Sequence, residues 1–154
     1  MSADVITRRA DVMVEGETLT KFLMIWLICM VIFLIIDLVW LSMIAKPFYQ
    51  RSIGHLMADN FRMGAAFLFY FFYVIGIVYF CVSGADGWQA AAVNGALFGF
   101  FCYATYDMTN FATLRDWPLG MVVVDIAWGT ILSATTAGLG FAVSRRLISN
   151  FPAS

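Results

Sequence analysis

The sequence predicts an all-α fold, a polytopic integral membrane protein built as a four-transmembrane-helix bundle. Three observations carry this reading. Of 154 residues, 62% are apolar and only 12% are charged, against a charged share of about 25% in ordinary soluble domains. The mean hydropathy is +0.86. Four stretches are each long enough for a hydrocarbon core of about 30 Å, which takes roughly 20 residues of helix. A soluble fold of this length could not cover so much apolar surface. Barrel strands read as short alternating segments; these stretches are continuous, so helices are the expected spanning form.

Each element follows in order. Residues 1–20 are mixed in charge and read as a short, mobile polar tail. Arg8-Arg9 lies there, but no apolar run follows at twin-arginine spacing. No cleavage pattern follows the first span either, so that helix is expected to stay in place. The transmembrane domain is expected over residues 21–146. Its first span covers about 22–45 and is interrupted only by Asp37. Lys46-Pro47 is expected to end it, because proline lacks a donor and disfavours helix just before it. The second span, about 64–82, is dense in Phe and Tyr, which suit a lipid surround or a ring-shaped ligand, and lipid is the expected neighbour. Ser83-Gly84-Ala85-Asp86-Gly87 reads as a tight turn. The third span, about 89–108, contains Gly95-x-x-x-Gly99, which permits close packing, here expected within the monomer. Arg115-Asp116-Trp117-Pro118 closes it. The fourth span, about 119–143, carries Thr130, Ser133, Thr135 and Thr136, expected to bond neighbouring helices. It ends at Arg145-Arg146, and residues 147–154 form a short C-terminal tail.

Four spans put both termini on one side, together with the turn near Gly84. Arg8, Arg9, Lys21, Arg145 and Arg146 lie on that side; Lys46, Arg51, Arg62 and Arg115 lie on the other. The cations are nearly balanced, so the positive-inside rule selects neither orientation. Between the first two spans, Phe48, Tyr49, Ile53, Leu56, Met57 and Phe61 are expected to rest in the headgroup zone on a short amphipathic segment.

The composition excludes several functions. The net charge is −1, without a basic run, so no nucleic-acid partner is expected. Cys29, Cys81 and Cys102 all lie in apolar stretches and read as small buried hydrophobes. His55 is the only histidine. It cannot supply bis-histidine haem ligation or a di-iron histidine cluster, and neither a metal nor a cofactor is expected. No nucleophile triad and no phosphate-cradling glycine loop is visible.

The chemistry concentrates in three carboxylates inside the spans: Asp37, Asp107 and Asp125. A charge at mid-bilayer costs about 2.5–3.5 kcal/mol even on the lenient insertion scale. Such residues therefore face the bundle interior and find a partner or hold a proton. Asp37 lies late in the first span, Asp107 late in the third and Asp125 two turns into the fourth. Because successive spans alternate direction, all three fall toward one membrane face. Trp40, Asn110 and Trp128 each sit three residues beyond an acid and so share its helical face. Lys46, Arg51, His55 and Arg115 belong to the same end and read as contacts for an anion or lipid headgroup. Asp37-x-x-Trp40 before Lys46-Pro47, and Asp107-x-x-Asn110 before Arg115 and Pro118, hint at a duplicated hairpin, as in many transporters.

Several segments carry a resemblance: Ile36-Asp37-Leu38-Val39-Trp40-Leu41, Ala45-Lys46-Pro47-Phe48-Tyr49, Gly54-His55-Leu56, Tyr106-Asp107-Met108-Thr109-Asn110, Arg115-Asp116-Trp117-Pro118 and Val124-Asp125-Ile126-Ala127-Trp128-Gly129. Together, over about residues 21–145, the chain resembles an uncharacterised family of small bacterial predicted membrane proteins, a domain of unknown function. The resemblance implies four spans and a multi-pass place in the bacterial inner membrane. It transfers no activity and no catalytic residue.

Three functions follow as expectations. The first is a small-solute or proton-coupled transporter or channel using the aspartate cluster, with a homodimer completing the pathway. The second is a membrane enzyme acting on a lipid or isoprenoid-like substrate, with the acids as acid–base groups and Arg51 or Arg115 holding an anionic headgroup. The third is an accessory or assembly subunit bound to a partner membrane protein. Intramembrane ionisable groups default to pathways and sites, which ranks transport first and an enzyme lower.

Overall fold

The computed structural model describes the backbone of residues 3–58, 60 and 62–148, with side chains from Thr18 onward. Phe61, the side chains of Arg8 and Arg9, and residues 149–154 of the C-terminal tail lie outside the described residues. Helix α1 runs Ala3–Trp40, so the polar N-terminal segment is largely an extension of the first helix. A π-helical segment, Leu41–Ala45, leads directly into α2, Lys46–Ile53, and a 3-10 turn, Gly54–Leu56. Helix α3, Met63–Gly76, ends in a second π segment, Ile77–Val82. Helices α4, Trp88–Thr113, and α5, Leu119–Ile148, complete the chain. Among the described residues there is no strand.

Pro47 does not end the first helix, contrary to the expectation from its missing donor. The Lys46 N–H reaches the Leu41 carbonyl, five residues back. This wider turn changes the register of the ladder before the proline ring arrives, and Pro47 then occupies the first turn of α2, where its missing N–H costs nothing. Helix α2 also departs from the headgroup reading. Phe48, Tyr49 and Ile53 pack on Trp117, Met121 and Val122 at the start of α5, while Leu56 and Met57 remain exposed.

Three helical segments, Thr18–Leu56, Met63–Val82 and Leu119–Ile148, are long and apolar enough to cross a membrane. Helix α4 is more polar, with Gln89, Asn94, Asp107 and Asn110, but its 26 residues extend about 39 Å at 1.5 Å per residue. Outward-facing side chains match a lipid surround. On α1, Leu23, Leu27, Val31, Ile35 and Leu38 form an exposed apolar stripe at helical spacing. Phe67 and Phe72 on α3, and Tyr79 and Phe80 on the π segment after it, are exposed too, as expected for the aromatic span. The chain is thus an all-α membrane protein of four long helices.

Helix α5 is the centre of the bundle. It packs most extensively on α4, then on α1, and α3 leans on α1. The α4–α5 seam is built on small residues. A Cβ on Gly99 would collide with the Gly129 carbonyl oxygen, and a Cβ on Gly95 would lie 2.5 Å from the Ser133 carbonyl oxygen. The Gly95-x-x-x-Gly99 pattern therefore serves packing within the chain. Phe33, Ile77, Leu132, Val74 and Val78 fill the core with no exposure above 0%. Helix α3 meets α4 through Gly76, Tyr73 and the π segment; Phe98 of α4 lies against both Gly76 and Tyr73. Beyond that contact, towards Met63, the two helices separate and a cleft opens between them.

Candidate functional site

The three acids sit on three helices, and all are buried: Asp37 at 6%, Asp107 at 0% and Asp125 at 5% relative exposure. Asp37, on α1, accepts from the Tyr70 hydroxyl of α3 at 2.7 Å on Oδ2. Its Oδ1 accepts from the Trp128 indole N–H of α5 at 3.3 Å, a long bond. Asp125 accepts on Oδ1 from the Tyr49 hydroxyl of α2. Asp107, on α4, accepts no well-formed hydrogen bond from a described residue on either oxygen, and the Trp117 indole is the donor nearest to acting on it. The Trp40 and Trp128 rings stack, with centroids 4.2 Å apart and planes 9° from parallel. The Tyr103 ring stands over Gly129, where only a residue without a Cβ leaves room for it.

The helical registers explain the meeting. Asp37 and Trp40 share one face of α1, so Trp128 can stack on the second while donating to the first. Asp125 and Trp128 share a face of α5 in the same way, one reaching α2 and the other α1. The indole partners thus act between helices, not along one helix. Asn110 is half-buried at the end of α4, and its carbonyl accepts from the Leu114 N–H at 2.8 Å, closing the helix.

The cations do not join the acids. Lys46, Arg51, His55 and Arg115 are all exposed. Among the described residues, no lysine, arginine or histidine acts on Asp37, Asp107 or Asp125. Tyrosine and tryptophan donors take the place that a basic partner would hold. A bare buried carboxylate such as Asp107 costs several kcal/mol if ionised; a proton or a cationic ligand removes that cost. Among the described residues no group of three His, Cys, Asp or Glu side chains is placed to hold a metal ion.

Sequence reasoning did not single out Tyr49, Tyr70 or Tyr103 as members of this cluster. A signal was present for one of them. Tyr70 and Tyr73 are the hydroxylated rings of a Phe-rich run, three residues apart and hence on one helix face. Both turn inward, Tyr70 to Asp37 and Tyr73 to the Ser133 hydroxyl at 2.8 Å. Ser133 is the one member of the α5 hydroxyl stripe that bonds another helix. Thr130 bonds back to the Ile126 carbonyl at 2.7 Å, and Thr136 is buried without a partner among the described residues.

Above the cluster lies the cleft between α3 and α4, about 330 Å³, lined by Phe69, Tyr73, Cys102, Tyr103, Tyr106 and Asp125. The three cysteines are free, and Cys102 alone borders this space.

A family model described as "Predicted membrane protein (DUF2177)" matches residues 22–142. The chain belongs to this family. The match takes in parts of α1 and α5, all of α3 and α4, and every residue of the DUF2177 member's aspartate cluster, from Asp37 to Trp128. The DUF2177 description names the membrane and no activity. No curated protein and no solved structure gives a significant match.

Proposed function

We propose that the protein is a small-solute transporter coupled to proton movement, with Asp37, Asp107 and Asp125 as the groups that exchange protons against solute. One observation carries the reading. Among the described residues, three carboxylates are buried at one end of the bundle without a basic partner, and Asp107 has only the Trp117 indole near it and no formed hydrogen bond. A structural acid in a membrane is normally satisfied by a cation or a full set of donors. Here the charge balance is left to something that arrives. Tyr49 and Tyr70 hold two of the acids in place by donating to them.

The filled core around Phe33, Ile77 and Leu132 argues for a carrier that rearranges over an open channel. Four helices enclose little space, so the proposal includes a homodimer. Coupling to protons requires an energised membrane, for which the bacterial inner membrane is the natural setting.

The test is flux in proteoliposomes loaded with a pH-sensitive dye. Under an imposed pH gradient, a panel of small cations, anions and neutral solutes is added in turn. The wild type is expected to show proton movement that depends on one solute class, and Asp107→Asn to lose it. Wild-type vesicles that behave like protein-free vesicles for every class, or full flux in all three Asp→Asn variants, would remove the proposal.

A further inference from the structure

We infer that the cleft between α3 and α4 binds a lipophilic organic monocation, a quaternary or protonated amine bearing an aromatic or branched apolar group, with Asp125 as its counter-charge. This rests on the reading of the aspartate cluster as the solute site and names its substrate class. The cleft wall is aromatic, and its floor is a carboxylate. Tyr106 and Phe69 stand at the mouth, 57% and 47% exposed, while Tyr73 and Asp125 lie at the bottom, 7% and 5% exposed. Ring faces attract a cation within about 6 Å by their quadrupole, most strongly where water is excluded. Tyr49 occupies Oδ1 of Asp125, and no described side chain bonds Oδ2.

Charge selects the occupant. No lysine, arginine or histidine lines the cleft. An anion there would meet Asp125 and, behind it, Asp107. A neutral solute would leave the carboxylate unbalanced. A bare metal ion would find no ligand set among the described residues. Size selects too: a volume of about 330 Å³ is at the lower end of small-molecule sites, which span roughly 300–1,000 Å³. One ring with a trialkylammonium head suits it. The mouth, marked by the exposed rings of Phe69 and Tyr106, lies between two helices that carry exposed apolar side chains, so the ligand enters from the hydrocarbon.

The probe is benzyltrimethylammonium, with neopentylbenzene as its neutral carbon isostere and benzenesulfonate as the anion, titrated calorimetrically into the purified full chain in detergent. The wild type is expected to bind the cation saturably, one per chain, and the isostere and the anion at least about tenfold more weakly. Asp125→Asn should lose at least about tenfold in affinity and Lys46→Ala none. Should Asp125→Asn fail to fold, Tyr106→Ala at the exposed mouth replaces it, and bound cation should slow alkylation of Cys102 by N-ethylmaleimide. Equal binding of the isostere, no saturable binding by the wild type, or unchanged affinity in the variants together with unprotected Cys102 overturns the inference. The two proposals fail separately. Aspartate-dependent proton flux driven only by anions or neutral solutes sinks the cation site and keeps the transporter. Asp125-dependent cation binding without any solute-driven flux keeps the site and sinks the transporter.

Discussion

Alanine in place of Gly95 puts a Cβ 2.5 Å from the Ser133 carbonyl oxygen and 2.8 Å from the Ala137 Cβ on α5. Carbon atoms in contact normally sit about 3.5–4.0 Å apart, so α4 and α5 must separate by about 1 Å along their main seam. Neither neighbour is the end of a flexible side chain, so the backbone has to give. Overpacking of this kind costs about 1–3 kcal/mol, offset by up to about 1 kcal/mol from the better helix propensity of alanine. The expected net loss is about 1–2 kcal/mol, or a melting temperature lower by about 2–8 °C for a chain of this size. Gly120 on α5 is the control, since a Cβ there meets nothing within 4 Å. Gly120→Ala should leave stability unchanged or raise it by up to about 1 kcal/mol. Both are read by circular dichroism melts in one detergent. If Gly95→Ala is as stable as the wild type, or the two substitutions shift stability in the same direction, the seam is not packed as described.

Other outcomes follow from single contacts. Tyr49→Phe removes the hydroxyl that bonds Asp125 and should cost about 1–3 kcal/mol, the usual result of stranding a buried acceptor; a melt indistinguishable from wild type would contradict this. The stacked Trp40 and Trp128 rings, 4.2 Å apart, should give a coupled indole signal in circular dichroism that Trp40→Phe and Trp128→Phe each abolish. A couplet surviving either change would show that the pair does not stack. Cys102 is half-buried beside the cleft, whereas Cys29 is fully enclosed beneath Gly140; mass-spectrometric alkylation should modify Cys102 first, and the reverse order would place the cleft elsewhere.

The long helices could be read directly because each is a run of apolar residues matched to a bilayer, and that signal needs no knowledge of partners. Alternating span direction alone was enough to expect Asp37, Asp107 and Asp125 at one end of the bundle. What escaped was rotation about each helix axis. The aromatic density of the second span reads as a lipid face, and only the hydroxyl of Tyr70 among its phenylalanine neighbours marks the ring that turns to Asp37. Tyr49 was equally hidden, since an aromatic beside a helix end fits the headgroup zone as well as it fits the start of α5. Pro47 misled for a local reason: the rule that proline ends a helix holds for an i→i−4 ladder, and here the ladder widens to i→i−5 just before it. The basic residues misled for an electrostatic one. Lys46, Arg51, His55 and Arg115 share an end of the chain with the acids, but exposed cations keep their hydration while phenols and indoles enter the apolar interior at lower cost.

Native mass spectrometry on protein extracted gently from its own membrane tests the central claim, that the aspartate cluster serves a small solute. The account predicts ions of this chain alone, as monomer or homodimer, retaining a small cationic molecule that Asp125→Asn releases. A second polypeptide at fixed stoichiometry, with no small molecule retained by wild type or variant, would contradict it and make the polar end a docking surface.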